Sequence, residues 1–292
     1  MRALVTGGVG FVGTNLIKRL VEEGYDVTSF DNYSTGFREN QLVDCTYITC
    51  DIRDEIKNGA FFDEIQNAWV HTKEFDVIFH MAALPRIGPS FENPTEVVDT
   101  NVKGTANVLE YARKTETPVI YAGSSSFWGG VYKNPYTFSK WQGEELCKMY
   151  EQIYGLNVTI CRFYNVYGDY MPTEGSYRTV LPIFLEQYKN GESMTVTGDG
   201  EQRRDFTHVD DIVDAMMKVV QLNKWGSVYE LGRGENHSIN EVVHMFNSER
   251  IYIDEIPGET RNTLCKSELA RKKLKWNPTI NVKEWIEEQL WK

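Results

Sequence analysis

No run of about 18 or more apolar residues occurs in the 292-residue chain, so no segment is expected to cross a membrane as a helix. Basic charge is also short. Lys and Arg number 31 against 42 Asp and Glu, a formal net charge of −11, which argues against nucleic acid or an anionic membrane surface as partner. An anionic small ligand remains compatible with that balance, but it needs local cationic groups, so a few placed arginines must do the work. The five cysteines, Cys45, Cys50, Cys147, Cys161 and Cys265, show no CxxC or metal-ligand spacing; they read as reduced thiols of a cytoplasmic protein, and no metal is expected. The strand-like run Arg2-Ala3-Leu4-Val5 starts at once and leaves no room for a signal peptide. Internal repeats and low-complexity tracts are absent too.

What is present is alternation. Runs at Ala3–Thr6, Val27–Asp31, Tyr47–Asp51, Val77–Ala82, Val119–Ala122 and Val158–Phe163 read as strands, and Gly10–Glu23, Thr95–Lys114 and Tyr136–Tyr154 as helices. Such βαβ alternation predicts a doubly wound α/β fold, a parallel sheet with helices on both faces. After Gly168 the pattern loosens around Pro172, Gly175, Pro182, Gly191, Gly198 and Gly200. Residues 1–168 are therefore expected to form a dinucleotide-binding domain and 169–292 a smaller α/β lobe that binds substrate. A segment near 205–232, with a strand at Ser227–Leu231, is expected to return to the sheet.

Thr6-Gly7-Gly8-Val9-Gly10-Phe11-Val12-Gly13 follows the first strand and opens a helix. Gly7 permits the tight turn, and Gly10 lets backbone N–H groups approach a pyrophosphate at the helix N-terminus. Gly13, Leu16, Ile17 and Leu20 share one helical face, so the third glycine lies where helix and strand pack closely. The second strand ends in Asp31, where a carboxylate can accept both ribose hydroxyls of an adenosine and repels a 2′-phosphate. No arginine follows it directly, so NAD is favoured over NADP. Asp51-Ile52, closing the third strand, either flanks the adenine or merely makes a turn.

Tyr136-Thr-Phe-Ser-Lys140 opens a later helix, and the i, i+4 spacing puts both side chains on one face. A free phenol, with a pKa of about 10, is a poor base at neutral pH. A nearby lysine ammonium and an oxidised nicotinamide would stabilise the phenolate and lower that value. Ser124-Ser125-Ser126 follows a buried strand and offers hydroxyls to a substrate oxygen, though serines there often only satisfy turns. The order of glycine loop, Asp, Ser and YxxxK says more than any one of them.

The chain resembles the extended short-chain dehydrogenase/reductases, specifically the UDP-galactose 4-epimerase-like nucleotide-sugar enzymes, almost end to end. The resemblance rests on TGGVGFVG (6–13), DNYSTGFREN (31–40), HMAAL (80–84), NVKGTANVLEYA (101–112), SSSFWG (124–129) and YTFSK (136–140). It continues through RFYNVYG (162–168), GDGEQRRDFTHVDD (198–211), YELGRG (229–234) and PGETR (257–261). It implies a Rossmann-type fold and a catalytic triad of Ser124, Tyr136 and Lys140. Asn101 would support the lysine or the cofactor. Gly7, Gly10, Phe11, Val12, Gly13, Asp31, Asn32 and Ser34 would hold NAD, together with Asp51, Ile52, Ala82, Ala83, Phe163 and Val166. Phe163, Tyr164 and Asn165 would line the nicotinamide and sugar-nucleotide region, with Ser124, Ser125 and Val180 on the substrate side. Arg204 and Arg261 would take the diphosphate or nucleoside. A homodimer built as a four-helix bundle from Thr95–Lys114 and Tyr136–Tyr154 is implied as well.

Related 4,6-dehydratases carry Asp-Glu directly after the catalytic Ser/Thr, and uronate decarboxylases typically a Glu where Ser126 stands. Ser125 and Ser126 replace these here, and a 4-epimerase needs no further acid or base, so epimerisation of a nucleotide-hexose is expected, with UDP as the commonest nucleotide of the family. A dehydratase, decarboxylase or 4-keto reductase on the same scaffold is the alternative, the reductase disfavoured because Asp31 opposes NADPH. A non-enzymatic dinucleotide sensor would typically have lost Tyr136 or Lys140. Two departures stand out. Only nine residues separate Ser126 from Tyr136, fewer than usual, and Phe127-Trp128 replaces the customary Val-Tyr, a change expected to affect packing more than chemistry. Arg86, on the loop after HMAAL, reads first as a solvated loop arginine and second as a contact to a charged or acylated hexose.

Overall fold

A computed structural model describes residues 1–54, 60–71, 74–255 and 258–291. Seven strands form its central sheet: β1 (Arg2–Thr6), β2 (Asp26–Asp31), β3 (Cys45–Thr49), β4 (Val77–His80), β5 (Val119–Ser124), β6 (Val158–Phe163) and β7 (Val228–Leu231). The order is β7-β6-β5-β4-β1-β2-β3, and every pairing is parallel. The chain thus winds outward in both directions from β1 and β4. The crevice beyond the carboxyl ends of these two strands is where such sheets bind ligands.

Both faces of the sheet are covered, which explains why its strands are almost continuously apolar. On one face α1 (Phe11–Glu22) and α5 (Val209–Gln221) pack Leu16, Ile17, Leu20, Val213 and Met216 against Val5 and Phe79. On the other, α3 (Thr105–Thr115) and α4 (Pro135–Tyr154) pack Val108, Leu109, Ala112, Cys147 and Tyr150 against Leu4, Ile78 and Tyr121. A third cluster, including Leu181, Phe184, Val196, Phe246, Trp285 and Ile286, lies in the C-terminal part of the chain. The predicted return to the sheet occurs, with β7 pairing to β6.

Four expectations need correction. The third strand runs from Cys45 to Thr49, two residues earlier than predicted, because Asp51 is taken up by a turn in which its carboxylate accepts the Arg53 N–H at 2.8 Å. The fourth strand stops at His80, and the fifth runs on to Ser124. The helix predicted over 95–114 is broken. It consists of α2 (Pro94–Val98), a π-helical turn over Asp99–Gly104, and α3. A Cβ at Gly104 would lie 2.6 Å from Ile52 Cδ1, so the glycine lets this turn close against the segment after β3. Asn101, inside the turn, is buried. π-turns of this kind recur at functional sites.

A buried ionic network ties α4 to the far half of the sheet. Arg162 of β6 donates to Glu144 of α4 (Nη2 to Oε2, 2.7 Å; Nε to Oε1, 3.0 Å) and to Glu230 of β7 (Nη1 to Oε1, 3.3 Å). Trp128 Nε1 and Tyr164 OH donate to the two oxygens of Glu230, and the guanidinium carbon lies 4.0 Å from the Phe127 ring centroid. The Phe127-Trp128 departure is therefore part of this network. Removing one member leaves an opposite charge buried without its partner, at a cost of about 3–5 kcal/mol. Glu144→Ala is accordingly expected to lower the unfolding free energy in urea by about that amount; a loss under about 1 kcal/mol would mean that water replaces the carboxylate.

Candidate active site

The crevice between β1 and β4 is a cavity whose floor is the glycine loop. Gly7 has φ +73°, and a Cβ there would lie 2.8 Å from the Ala82 backbone. A Cβ at Gly13 would lie 2.1 Å from the Gly7 carbonyl oxygen. Both positions therefore demand glycine, for conformation and for closeness. Gly10 precedes α1 without any side-chain cap, leaving the helix's first N–H groups open toward the cavity. Phe11, Val12, Asn32, Ser34, Ile52, Ala82 and Ala83 line it as well. Asp31 lines the same cavity and accepts hydrogen bonds from Val9 N at 3.1 Å and Tyr33 N at 2.8 Å. Burial raises its pKa, and those two N–H groups oppose the rise. The backbone cradle and the acid at the end of β2 fit a dinucleotide with a free ribose 2′-hydroxyl.

At the other end of the cavity stand Tyr136, Lys140 and Phe163. Asn134 caps α4 by accepting the Thr137 N–H at 2.8 Å, and Pro135 occupies the first turn, which fixes where the Tyr136–Lys140 face begins. Tyr136 OH donates to Ser124 Oγ at 3.4 Å, and Ser124 Oγ donates to Ser126 Oγ at 2.9 Å. Lys140 Nζ lies 4.3 Å from the Tyr121 ring centroid. Burial lowers the Lys140 pKa to about 8 from its ordinary 10.5, with Glu144 opposing.

From the sequence, the Lys140 ammonium and an oxidised nicotinamide are together expected to lower the Tyr136 pKa. In the folded protein, burial raises the phenol pKa, and what opposes the rise is the Ser124 hydrogen bond and the Arg86 charge. Arg86 is thus not a solvated loop arginine. It is partly buried, lines the cavity, and donates from Nε to the Tyr177 carbonyl at 3.0 Å. Its loop folds inward because Asn101 grips the neighbouring residue: Oδ1 accepts the Leu84 N–H at 2.8 Å, while Nδ2 donates to the Leu84 carbonyl and to Ser139 Oγ. Asn101 therefore braces the cavity wall and the residue before Lys140; its hydrogen bonds do not go to the lysine itself.

His80, in the HMAAL motif, takes a role that its sequence position does not reveal. His80 is buried between Thr6 Oγ1 (2.7 Å) and Thr105 Oγ1 (3.0 Å), joining β1 to the start of α3. Burial, with the Lys140 charge, lowers its pKa to about 3, so the imidazole is neutral. Thr6 Oγ1 also accepts the Ala82 N–H, and Thr105 donates to the Asn101 carbonyl. No local spacing could reveal this chain, since its members come from three separate elements.

Other expected residues stand off the cavity wall. Asp51 pairs with Arg53 and accepts from Asn32. Val166 packs against the core between sheet and α5. Asn165 donates to the Asp205 carbonyl and Thr263 Oγ1. Ser125 is buried behind Ser124, and Val180 begins a helix that packs on the C-terminal cluster. Arg204 bridges the Thr260 carbonyl and Glu259, whereas Arg261 forms a bidentate, solvent-exposed pair with Asp199. Pro257 of the PGETR segment lies outside the described residues.

The depressed lysine has a thermodynamic consequence. Its folded pKa lies below the unfolded value, so the buried ammonium destabilises the fold at neutral pH, and the penalty fades as pH rises from 8 toward 10.5. The shift corresponds to on the order of 3 kcal/mol. Lys140→Met, similar in shape, is expected to raise the urea midpoint at pH 7, with the gain shrinking at pH 10. A lower midpoint at pH 7 would show that the ammonium is net stabilising.

The sequence and the fold have known counterparts. Residues 3–232 match the model of the NAD dependent epimerase/dehydratase family. A Methanocaldococcus jannaschii protein named as a candidate UDP-glucose 4-epimerase is 33% identical over 97% of this chain and 95% of its own length. The UDP-N-acetyl-alpha-D-glucosaminuronate decarboxylase of Bacillus cytotoxicus is 32% identical over 88% of this chain and 84% of its own. Among solved structures, the Thermotoga maritima UDP-glucose 4-epimerase with UDP-glucose superposes with a TM-score of 0.87 at 27% identity, covering 99% of this chain and 100% of that one. The chain belongs to the NAD dependent epimerase/dehydratase family.

Proposed function

We propose that the protein is a nucleotide-sugar 4-epimerase acting on a UDP-hexose. One observation carries the reading: among the described residues, Asp31 is the only carboxylate lining the cavity, and it stands at the adenosine end. Eliminating water from a hexose needs an acid and a base beside the sugar, and the family resemblance implies that uronate decarboxylases typically carry a Glu where Ser126 stands. Here Ser125 and Ser126, at the positions where the family resemblance implies those acids, offer only hydroxyls, Ser126 already accepting from Ser124. Epimerisation asks for less.

Bound NAD supplies the hydride acceptor at C4 and later the hydride donor. Tyr136 takes the proton of the C4 hydroxyl while Ser124 hydrogen-bonds the same oxygen. Arg86 holds positive charge near the phenolate that receives and then returns this proton, and Lys140 lines the same end of the cavity. The 4-keto sugar turns over in the cavity and is reduced on its other face. Arg204 and Arg261 are assigned to the diphosphate and nucleoside, Arg261 exchanging Asp199 for phosphate. The substrate lobe is assigned to residues 169–292, less the returning segment near 205–232, and the cofactor domain to 1–168. The protein is placed in the cytoplasm, a reading supported by five free thiols, four of them buried.

The purified protein, with no cofactor added, is expected to convert UDP-glucose to its C4 epimer in an NMR time course. Tyr136→Phe is expected to lower kcat at least about 100-fold. A 4-keto-6-deoxy product would sink the epimerase reading in favour of a dehydratase.

A homodimer through α2–α3 and α4 is part of the same proposal. Val98, Met149 and Ile153 are exposed there, and a shallow apolar groove runs between Val98, Val102, Ala106 and Leu146. Sedimentation at micromolar concentration is expected to give twice the 33.7 kDa chain mass, and a monomeric mass would refute the dimer.

A further inference from the structure

Arg86 has three features that do not follow from packing. Its backbone sits at φ +86°, ψ 141°, a region that a bulky non-glycine residue enters only under constraint. Its guanidinium is partly buried in the cavity wall, with Nε committed to the Tyr177 carbonyl. Among the described residues, no carboxylate lies within ion-pair distance of it and no acceptor takes its two terminal nitrogens. Glu259 is the carboxylate whose charge reaches it, and Glu259 is already bound to Arg204. The terminal nitrogens are not among the buried atoms without partners, so they stay accessible from the cavity, and a partly buried cation with no ion-pair partner gains from a ligand that completes it.

The position of this cation narrows the ligand. The cofactor pyrophosphate belongs at the glycine loop, and the sugar diphosphate is assigned to Arg204 and Arg261. Arg86 instead shares the sugar end of the cavity with Tyr136 and Lys140. An anion that can sit beside the reacting C4 is a carboxylate carried on C5, its immediate neighbour. We propose that Arg86 makes this enzyme select nucleotide-hexuronates, its two free terminal nitrogens forming a fork on the C6 carboxylate. The inference rests on the epimerase reading for placing C4 at Tyr136. A neutral hexose leaves the fork unmatched, and an N-acyl group offers it one neutral oxygen where a carboxylate offers two charged ones.

The test is binding, read by calorimetry on the NAD-loaded protein with UDP-glucuronate, UDP-glucose and UDP-N-acetylglucosamine. The wild type is expected to bind UDP-glucuronate at least about tenfold more tightly than either neutral sugar. Arg86→Gly suits the positive φ, so its Tm is expected to equal or exceed the wild type. Its affinity for UDP-glucuronate is expected to fall at least about tenfold more than that for UDP-glucose, and Arg86→Lys to recover only part of the difference. Equal wild-type affinities would overturn the proposal, as would equal losses for both ligands in Arg86→Gly, the mark of a guanidinium that serves only the Tyr136 phenolate. Turnover is scored separately. Discrimination in binding without epimerisation would sink the epimerase reading alone, and epimerisation without discrimination would sink the hexuronate assignment alone.

Discussion

Holding a buried Lys140 ammonium in the cavity that Tyr136 also lines is the constraint around which the candidate site is built. The ammonium rests against the Tyr121 ring, and its nearest carboxylate influence, Glu144 one turn further along α4, is itself bound to Arg162. An aromatic face and a distant shared carboxylate stabilise a cation less than a direct ion pair does. The lysine therefore stays easy to deprotonate, and its charge stays available to whatever enters the cavity. A second cation nearby would raise the cost further, and His80 avoids adding one by remaining neutral between two threonine hydroxyls.

The same cavity is electrically divided along its length. Asp31 stands at the end of β2, while Arg86 and Lys140 stand beside Tyr136. In a chain with a net charge of −11, these cations act only at short range, within a low-dielectric enclosure where charge counts for more than it does in water. Under the proposed reading, that division would orient a dinucleotide with its ribose hydroxyls toward Asp31 and its redox ring toward Tyr136. It also explains why global acidity and an anionic substrate are compatible.

Much of this was legible along the chain. Glycines at 7, 10 and 13 before a helix, an acid at the end of the next strand, and Tyr136 and Lys140 one helical turn apart are short-range patterns, and the parallel sheet followed from alternation of periods. Strand ends were less legible, because Asp51 could serve a strand or a turn and only its bond to the Arg53 N–H decides. The π-turn was invisible, since the residues of 95–114 form acceptable α-helix locally and the break reflects Gly104 closing on Ile52, which is far away in sequence.

By itself the sequence determined where a glycine turn opens a helix, which acid ends the next strand, and which phenol and amine share a helical face, because each depends on neighbours within about one helical turn or one βα unit. Tertiary structure alone decided the electrostatics. Whether Arg86 is solvated or enclosed, whether His80 is charged, and whether Glu144 answers Lys140 or Arg162 all depend on what surrounds them in space, since burial and partner distance set the cost of a charge and neither is written in local spacing.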